Sequence, residues 1–171
     1  MSIDVPSAYD QHVDFVWRLL LRLGVPTSSV EDAVQEVFLV LHRRRSDFIG
    51  ASTLRTWLGG IALRVAADMR RGQARALHHL EDLQRLPRLS PREPSQLVEE
   101  REAFTLVQSL LDQMSEEQRT VFVLAEFEEL TLREIADITG VNANTVSSRL
   151  RLARHRFEAL VERSRTKEQV S

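Results

Sequence analysis

The sequence predicts an all-α protein: two small helical domains joined by a flexible linker, the C-terminal one containing a helix-turn-helix. Three observations carry that prediction. Apolar residues recur at helical spacing in successive segments, several of them opened by capping signals. A segment from Gln73 to Pro94 breaks the pattern with Pro87, Pro91 and Pro94 and no sustained period, which marks the best domain boundary. The stretch from Leu130 to Phe157 reads as two short helices joined by a tight turn.

The first helix can be capped by Ser7. Its apolar residues Val13, Val16, Trp17, Leu20, Leu21 and Leu23 make a broad buried face with Trp17 in the core, and it ends at Gly24 before Pro26. Ser28 and Glu31 form a capping box opening the second helix, whose apolar set is Ala33, Val34, Val37, Phe38, Val40 and Leu41. Asp32, Gln35, Glu36 and Leu39 are left on its other faces, and acids in a first turn suit the helix dipole. Ser46 to Ser52 reads as a loop with a glycine and an exposed aromatic, Phe48.

A third helix from about Thr53 to Arg71 packs Leu54, Trp57, Leu58, Ile61 and Val65 or Ala66. Its adjacent Gly59 and Gly60 each cost about 1 kcal/mol against alanine, so they imply close packing or a local bend. Within the linker, His79 to Leu86 has the pattern of a short helix. Helical spacing resumes after Ser95 with Leu97, Val98, Phe104, Val107, Leu110 and Leu111, and Ser115 with Gln118 caps the next helix. The tail after Ser164 is expected to fray.

In the helix pair, Thr131 and Glu134 form a T-x-x-E capping box. Leu132, Ile135, Ala136 and Ile138 give one buried face, and Gly140 supplies the positive φ of a sharp turn after Thr139. Asn142 caps the second helix, in which Val146, Leu150, Ala153 and Phe157 form the inner stripe. Asn144, Thr145, Ser148, Arg151 and His155 fall opposite, flanked by Ser147, Arg149, Leu152, Arg154 and Arg156. Arginine pairs bidentately with guanine, asparagine with adenine, and hydroxyls with bases or phosphates, so the second helix has the chemistry of a major-groove reader. The plainer reading of the same pattern is a helical hairpin with a solvated basic face.

Composition narrows the choice. With 43% hydrophobic and 28% charged residues among 171, the balance is that of a globular protein, and a net charge of −2 argues against indiscriminate coating of nucleic acid. Arg101 to Thr139 nevertheless holds three bases against nine acids, and Gly140 to Ser171 seven bases against three acids. The division fits a basic face toward phosphates and an acidic face turned away or toward a basic partner. The absence of cysteine removes disulfides, thiol nucleophiles and thiolate metal sites. His12, His42, His78, His79 and His155 show no metal-ligand spacing, and there is no Gly-rich phosphate loop, so an enzyme is disfavoured and no cofactor is implied. The N-terminus lacks a signal segment and no apolar run approaches the roughly 18 residues of a membrane span, which suggests a cytoplasmic protein.

Four motifs in order, D-A-V-Q-E-V-F at Asp32 to Phe38, R-T-W-L at Arg55 to Leu58, S-E-E-Q-R at Ser115 to Arg119 and T-V-S-S-R-L at Thr145 to Leu150, resemble the extracytoplasmic-function sigma factors of bacterial RNA polymerase, within the sigma-70 family. The resemblance covers roughly Tyr9 to Leu160. It implies a region-2-like domain at about residues 5–75, a linker at 76–95 and a region-4-like domain at 96–164. The first would dock on the β′ coiled coil of core RNA polymerase through Asp32, Gln35, Glu36 and Leu39. It would also melt and hold the −10 promoter element through Phe48, Ser52, Thr53, Arg55, Arg64, Arg70 and Arg71, with Trp57 supporting the fold below.

The second domain would meet the β flap and read the −35 element through Asn144, Thr145, Ser147, Ser148, Arg149, Arg151, Leu152 and His155. Many relatives carry a basic residue in place of Ser147 and often of Leu152, asparagine in place of Arg64 and an aromatic in place of Gly59. These departures bear on the promoter sequence, and fewer phosphate contacts would lower isolated affinity. The family also implies a cognate anti-sigma factor. The alternative function is a stand-alone helix-turn-helix regulator, which would bind duplex DNA tightly without polymerase.

Overall fold

The computed structural model describes residues 3–77 and 98–170, with side chains over 3–72 and 102–167. The linker prolines, His78, His79 and the short helix expected at 79–86 lie outside the described residues. Among those described, every regular element is helical. Contacts divide the chain into Met1–Ser95 and Gln96–Ser171.

In the first unit three helices, α1 (Val5–Arg22), α2 (Val30–Arg44) and α3 (Leu54–Leu77), pack pairwise on one another. Asp4, not Ser7, caps α1: its carboxylate accepts the Ser7 N–H at 3.2 Å, with Pro6 in the first turn where no backbone donor is needed. The end of α1 is a Schellman turn. Gly24 has φ 92°, its N–H reaches the Leu21 carbonyl at 2.9 Å, and the Val25 N–H reaches Leu20 at 3.0 Å, with Val25 buried beside it.

The buried face of α1 centres on Phe15, Val16, Leu19 and Leu20, whereas Trp17 is only half-buried. The cap position of α2 is Ser29, one residue past the expected Ser28, and its side chain makes no capping bond. Val30, Ala33, Val34, Val37, Phe38 and Leu41 line its inner face, and Val40 sits half-buried at its edge. A 3-10 turn, Arg45–Asp47, takes up part of the expected loop before the chain opens at Phe48.

The α3 helix is longer than its pattern suggested, running six residues past Arg71. It remains one helix through its two glycines. Gly59 is buried, and a Cβ there would lie 4.0 Å from both Leu19 Cδ2 and Phe15 Cζ, which is ordinary van der Waals contact. The helix does not break at this glycine, and the packing there has room for one methyl. Gly59→Ala should raise the thermal midpoint by a few degrees through the roughly 1 kcal/mol of recovered helix propensity. A fall in the midpoint on a melting curve would mean that α1 and α3 close more tightly than this.

In the second unit α4 (Val98–Leu111) leads to α5 (Glu116–Phe122), capped by Ser115, whose Oγ accepts the Gln118 N–H at 3.3 Å. A π-helical turn, Val123–Phe127, follows, and Glu129 beyond it adopts φ 55°, uncommon for a residue with a side chain. The helix-turn-helix is α6 (Leu132–Thr139) and α7 (Ala143–Val170). Phe122 stacks on Phe157 with centroids 4.6 Å apart and meets Phe127 at 6.2 Å, joining α5 to α7. Where the sequence suggested a frayed tail after Ser164, α7 continues as helix to Val170.

Candidate nucleic-acid interface

The turn between α6 and α7 is fixed by local chemistry. Thr131 Oγ1 accepts the Glu134 N–H at 3.3 Å, and the Glu134 carboxylate accepts the Thr131 N–H at 2.8 Å, completing the capping box. Gly140 sits at φ 71° in the left-handed region, and Asn142 Oδ1 accepts the Thr145 N–H at 2.9 Å to start α7. Ile135, Val146, Leu150 and Ala153 are buried, which sets the rotation of α7 about its axis. Leu132, expected inside, is 39% exposed because it occupies the first helical position.

That rotation presents Asn144, Ser148, Arg151, Leu152 and His155 to solvent on one face, with Thr145 half-buried at its edge and Ser147 exposed on the flank. Ser148 donates its hydroxyl to the Asn144 carbonyl at 3.0 Å, which leaves its oxygen as an acceptor. Arg151 makes no hydrogen bond or ion pair among the described residues. Leu152, 54% exposed, is the large apolar side chain of this face.

Arg149 does not join that group. Its Nη2 lies 3.1 Å from Glu117 Oε1 on α5, which draws it back toward the fold. Arg154 is likewise held by Glu126, with Nε donating at 2.7 Å, and Arg156 reaches the Gln113 carbonyl at 3.4 Å. The acids of α5 and its π-helical turn thus serve partly as supports for α7, where the charge pattern alone suggested a face turned away.

In the first unit Asp32, Gln35 and Leu39 are exposed and Glu36 half-buried at spacings of three, one and three residues, which places all four on one stripe of α2. Leu39 is 47% exposed, an apolar group amid polar ones. Arg43 Nη1 lies 3.5 Å from Glu36 Oε1.

The loop after α2 inverts one expectation. Phe48 is half-buried with its ring 5.3 Å from that of Trp57, while Ile49 is 86% exposed and is the side chain the loop offers to solvent. Gly50 turns the loop at φ 75°. Thr53 Oγ1 accepts the Thr56 N–H at 3.1 Å at the start of α3, and Ser52 donates to the Thr53 carbonyl at 3.3 Å.

The four arginines expected beside this loop have different surroundings. The Arg55 guanidinium lies over the Phe15 ring, 4.6 Å from its centroid. Burial, and then the charge of Arg55, holds His12 below the ordinary histidine pKa. Arg64 is exposed and makes no hydrogen bond or ion pair among the described residues. Arg70 donates from Nη1 to the Leu23 carbonyl, tying α3 to the end of α1, and Arg71 pairs with Asp68. Arg70 is thus recruited to the fold, a role that sequence reasoning missed because its partner is 47 residues away.

Arg119, in the S-E-E-Q-R motif, was also missed, because its partners lie at the end of the preceding helix, beyond the reach of a capping or one-turn pattern. It is 8% exposed, its Nε donates to the Leu111 carbonyl at 2.8 Å, and its Nη2 meets Asp112 Oδ1 at 2.9 Å. It therefore fastens the end of α4 to α5. No group of histidines and carboxylates able to hold a metal occurs among the described residues, and none of their helices is long and apolar enough to cross a membrane.

Comparison with known proteins gives two family matches: residues 8–76 to Sigma-70 region 2, and residues 104–157 to Sigma-70, region 4. The chain is 30% identical over 150 residues to the ECF RNA polymerase sigma factor SigL of Mycobacterium tuberculosis, covering 86% of this chain and 82% of that one. It is 26% identical to the RNA polymerase sigma factor YlaC of Bacillus subtilis, over 97% of this chain and 96% of the relative. Among solved structures, the sigma factor RpoE of Bartonella quintana, in complex with the anti-sigma factor NepR, is similar with a TM-score of 0.73 at 19% identity, covering 93% of this chain and 97% of that chain. CnrH, in complex with the cytosolic domain of CnrY, gives 0.68 at 22%, covering 92% and 87%. At these identities the two structural likenesses speak to fold alone.

Proposed function

The chain belongs to the extracytoplasmic-function sigma factors of the sigma-70 family, which direct promoter-specific transcription initiation, and we propose that it divides the work between its two units as follows. The exposed stripe of Asp32, Gln35, Glu36 and Leu39 docks on the β′ coiled coil of core RNA polymerase. Polar groups around one apolar side chain suit a basic partner helix, with charge setting the encounter and Leu39 supplying desolvated area. The loop from Phe48 to Thr53 takes the −10 element, with Ile49 as the exposed apolar surface for an unstacked base and Phe48 on Trp57 as its floor. Arg55, Arg64, Arg70 and Arg71 were the expected backbone contacts. Of these, Arg64 is the side chain whose exposure and lack of partners best suit that role.

The observation that carries the −35 reading is the rotation of α7. Burial of Val146, Leu150 and Ala153 leaves Asn144, Ser148 and Arg151 facing outward at the start of a helix, the geometry by which a recognition helix enters the major groove. Thr145, Ser147, Leu152 and His155 complete that surface, and the second unit meets the β flap. A stand-alone regulator would not require a region 2, so the match over residues 8–76 decides for the sigma factor. Sigma factors act as non-enzymatic initiation factors, and this one would work in the cytoplasm, where the polymerase is. A cognate anti-sigma factor is proposed because RpoE of similar fold was solved bound to one.

Run-off transcription with purified core enzyme on genomic fragments tests the whole reading. The expected result is discrete transcripts that require this protein. Neither core binding nor a specific transcript on any fragment would refute it.

A further inference from the structure

His42, Arg43, Arg44 and Arg45 close α2 and enter the 3-10 turn, all four exposed, three residues before the loop at Phe48. From His42 to Arg55 the single acid is Asp47. The dipole of α2 rewards a cation in its last turn by about 0.3–1 kcal/mol, and Arg45 already takes that place, with Nη1 donating to the His42 carbonyl at 2.9 Å. Three consecutive arginines point about 100° apart around a helix, so terminal carbonyls do not account for the other two. Arg44 meets Asp47 at 2.9 Å and Arg43 meets Glu36 at 3.5 Å, but both are surface pairs, the class worth about 0–1 kcal/mol and readily exchanged for another anion.

We propose that Arg43, Arg44 and Arg45 grip the phosphate backbone of the promoter strand whose bases occupy the adjoining loop. This rests on the sigma-factor reading and assigns the backbone contacts to residues other than Arg70 and Arg71. Those two follow Thr53 by 17 and 18 residues of continuous helix, roughly 25 Å at 1.5 Å per residue, and Arg70 is already bonded to Leu23. Arg55, next to the loop, is drawn over Phe15. Besides Arg55, the exposed guanidinium groups within six residues of Ile49 are those at the end of α2. Arginine suits the task because its planar fork engages two phosphate oxygens at once. Apolar Ile49 and cationic Arg43 to Arg45 then divide a single strand between its bases and its backbone, as strand-binding surfaces do.

The test uses full-length protein with core polymerase, on a duplex promoter selected from a randomised library by the wild-type holoenzyme. The triple variant R43Q/R44Q/R45Q should bind that promoter about tenfold or more weakly. Its plot of log affinity against log salt should be shallower by about 2, three contacts at about 0.7 each. The variant R43K/R44K/R45K should retain the wild-type slope, and both should bind core enzyme normally. An unchanged slope in the glutamine variant would overturn the proposal and leave these arginines as a solvated face. Weakened core binding with an unchanged slope would also overturn it, in favour of a polymerase contact. Failure of the sigma reading shows separately, as absence of promoter-specific binding by the wild-type holoenzyme, and would take this proposal with it.

Discussion

Arg119→Met will cost the C-terminal unit about 2–3 kcal/mol of stability, read as a shift of its urea midpoint without a large change in slope. Methionine keeps most of the aliphatic packing, so the loss isolates the hydrogen bonds. Nε donates to the Leu111 carbonyl at 2.8 Å, at the end of α4 where carbonyls have no partner within the helix, and that bond is buried. Removing the donor strands a dehydrated acceptor as well as losing the bond. The pair with Asp112 counts for less because that carboxylate is 58% exposed and screened by solvent, so Asp112→Asn should cost below about 1 kcal/mol. A unit of this size has only a few kcal/mol of stability in all, and the methionine variant should therefore lose −35 recognition at growth temperature. Equal, small shifts for the two variants would show that the Leu111 bond is not what fastens α4 to α5.

What was legible beforehand divides by the range of the interaction. The Thr131 and Glu134 capping box, the left-handed Gly140 and the Asn142 cap are contained within three or four residues, and the structure has all three. So is the end of α1, where Gly24 has positive φ. Competing residues of one type blur even local signals: Asp4 outbids Ser7, and Ser29 takes the position expected of Ser28. Periodicity gives the face of a helix but not its depth in the core, which is why Trp17 and Leu132 proved less buried than their positions suggested. Least visible were cations whose partners come from elsewhere in the chain. Arg70 on Leu23, Arg149 on Glu117 and Arg154 on Glu126 look, in the sequence, like any arginine available to phosphate. The fold gives each of these a partner, whereas Arg151 and Arg64 make no hydrogen bond or ion pair among the described residues.

This selection sharpens the expectation for Arg151. With Arg149 and Arg154 engaged by carboxylates, Arg151 is the arginine in the first three turns of α7 that makes no hydrogen bond or ion pair among the described residues. A bidentate arginine contact with a base edge discriminates by about 1–3 kcal/mol, so Arg151→Ala should lower −35-dependent initiation about 5- to 150-fold. Because the side chain is exposed, the substitution should leave the unfolding midpoint within about 0.5 kcal/mol of wild type and core binding unchanged. Arg149→Ala should behave in the opposite way. Its partner is a carboxylate on α5, so its effect should appear in stability, by at most about 1 kcal/mol, more than in the choice of −35 base. Parallel transcription from promoters with every single substitution in the −35 element separates the two, since a base contact relaxes preference at one position whereas a supporting residue weakens all positions alike. Equal loss of core binding and initiation in the Arg151 variant would assign this face of α7 to the fold.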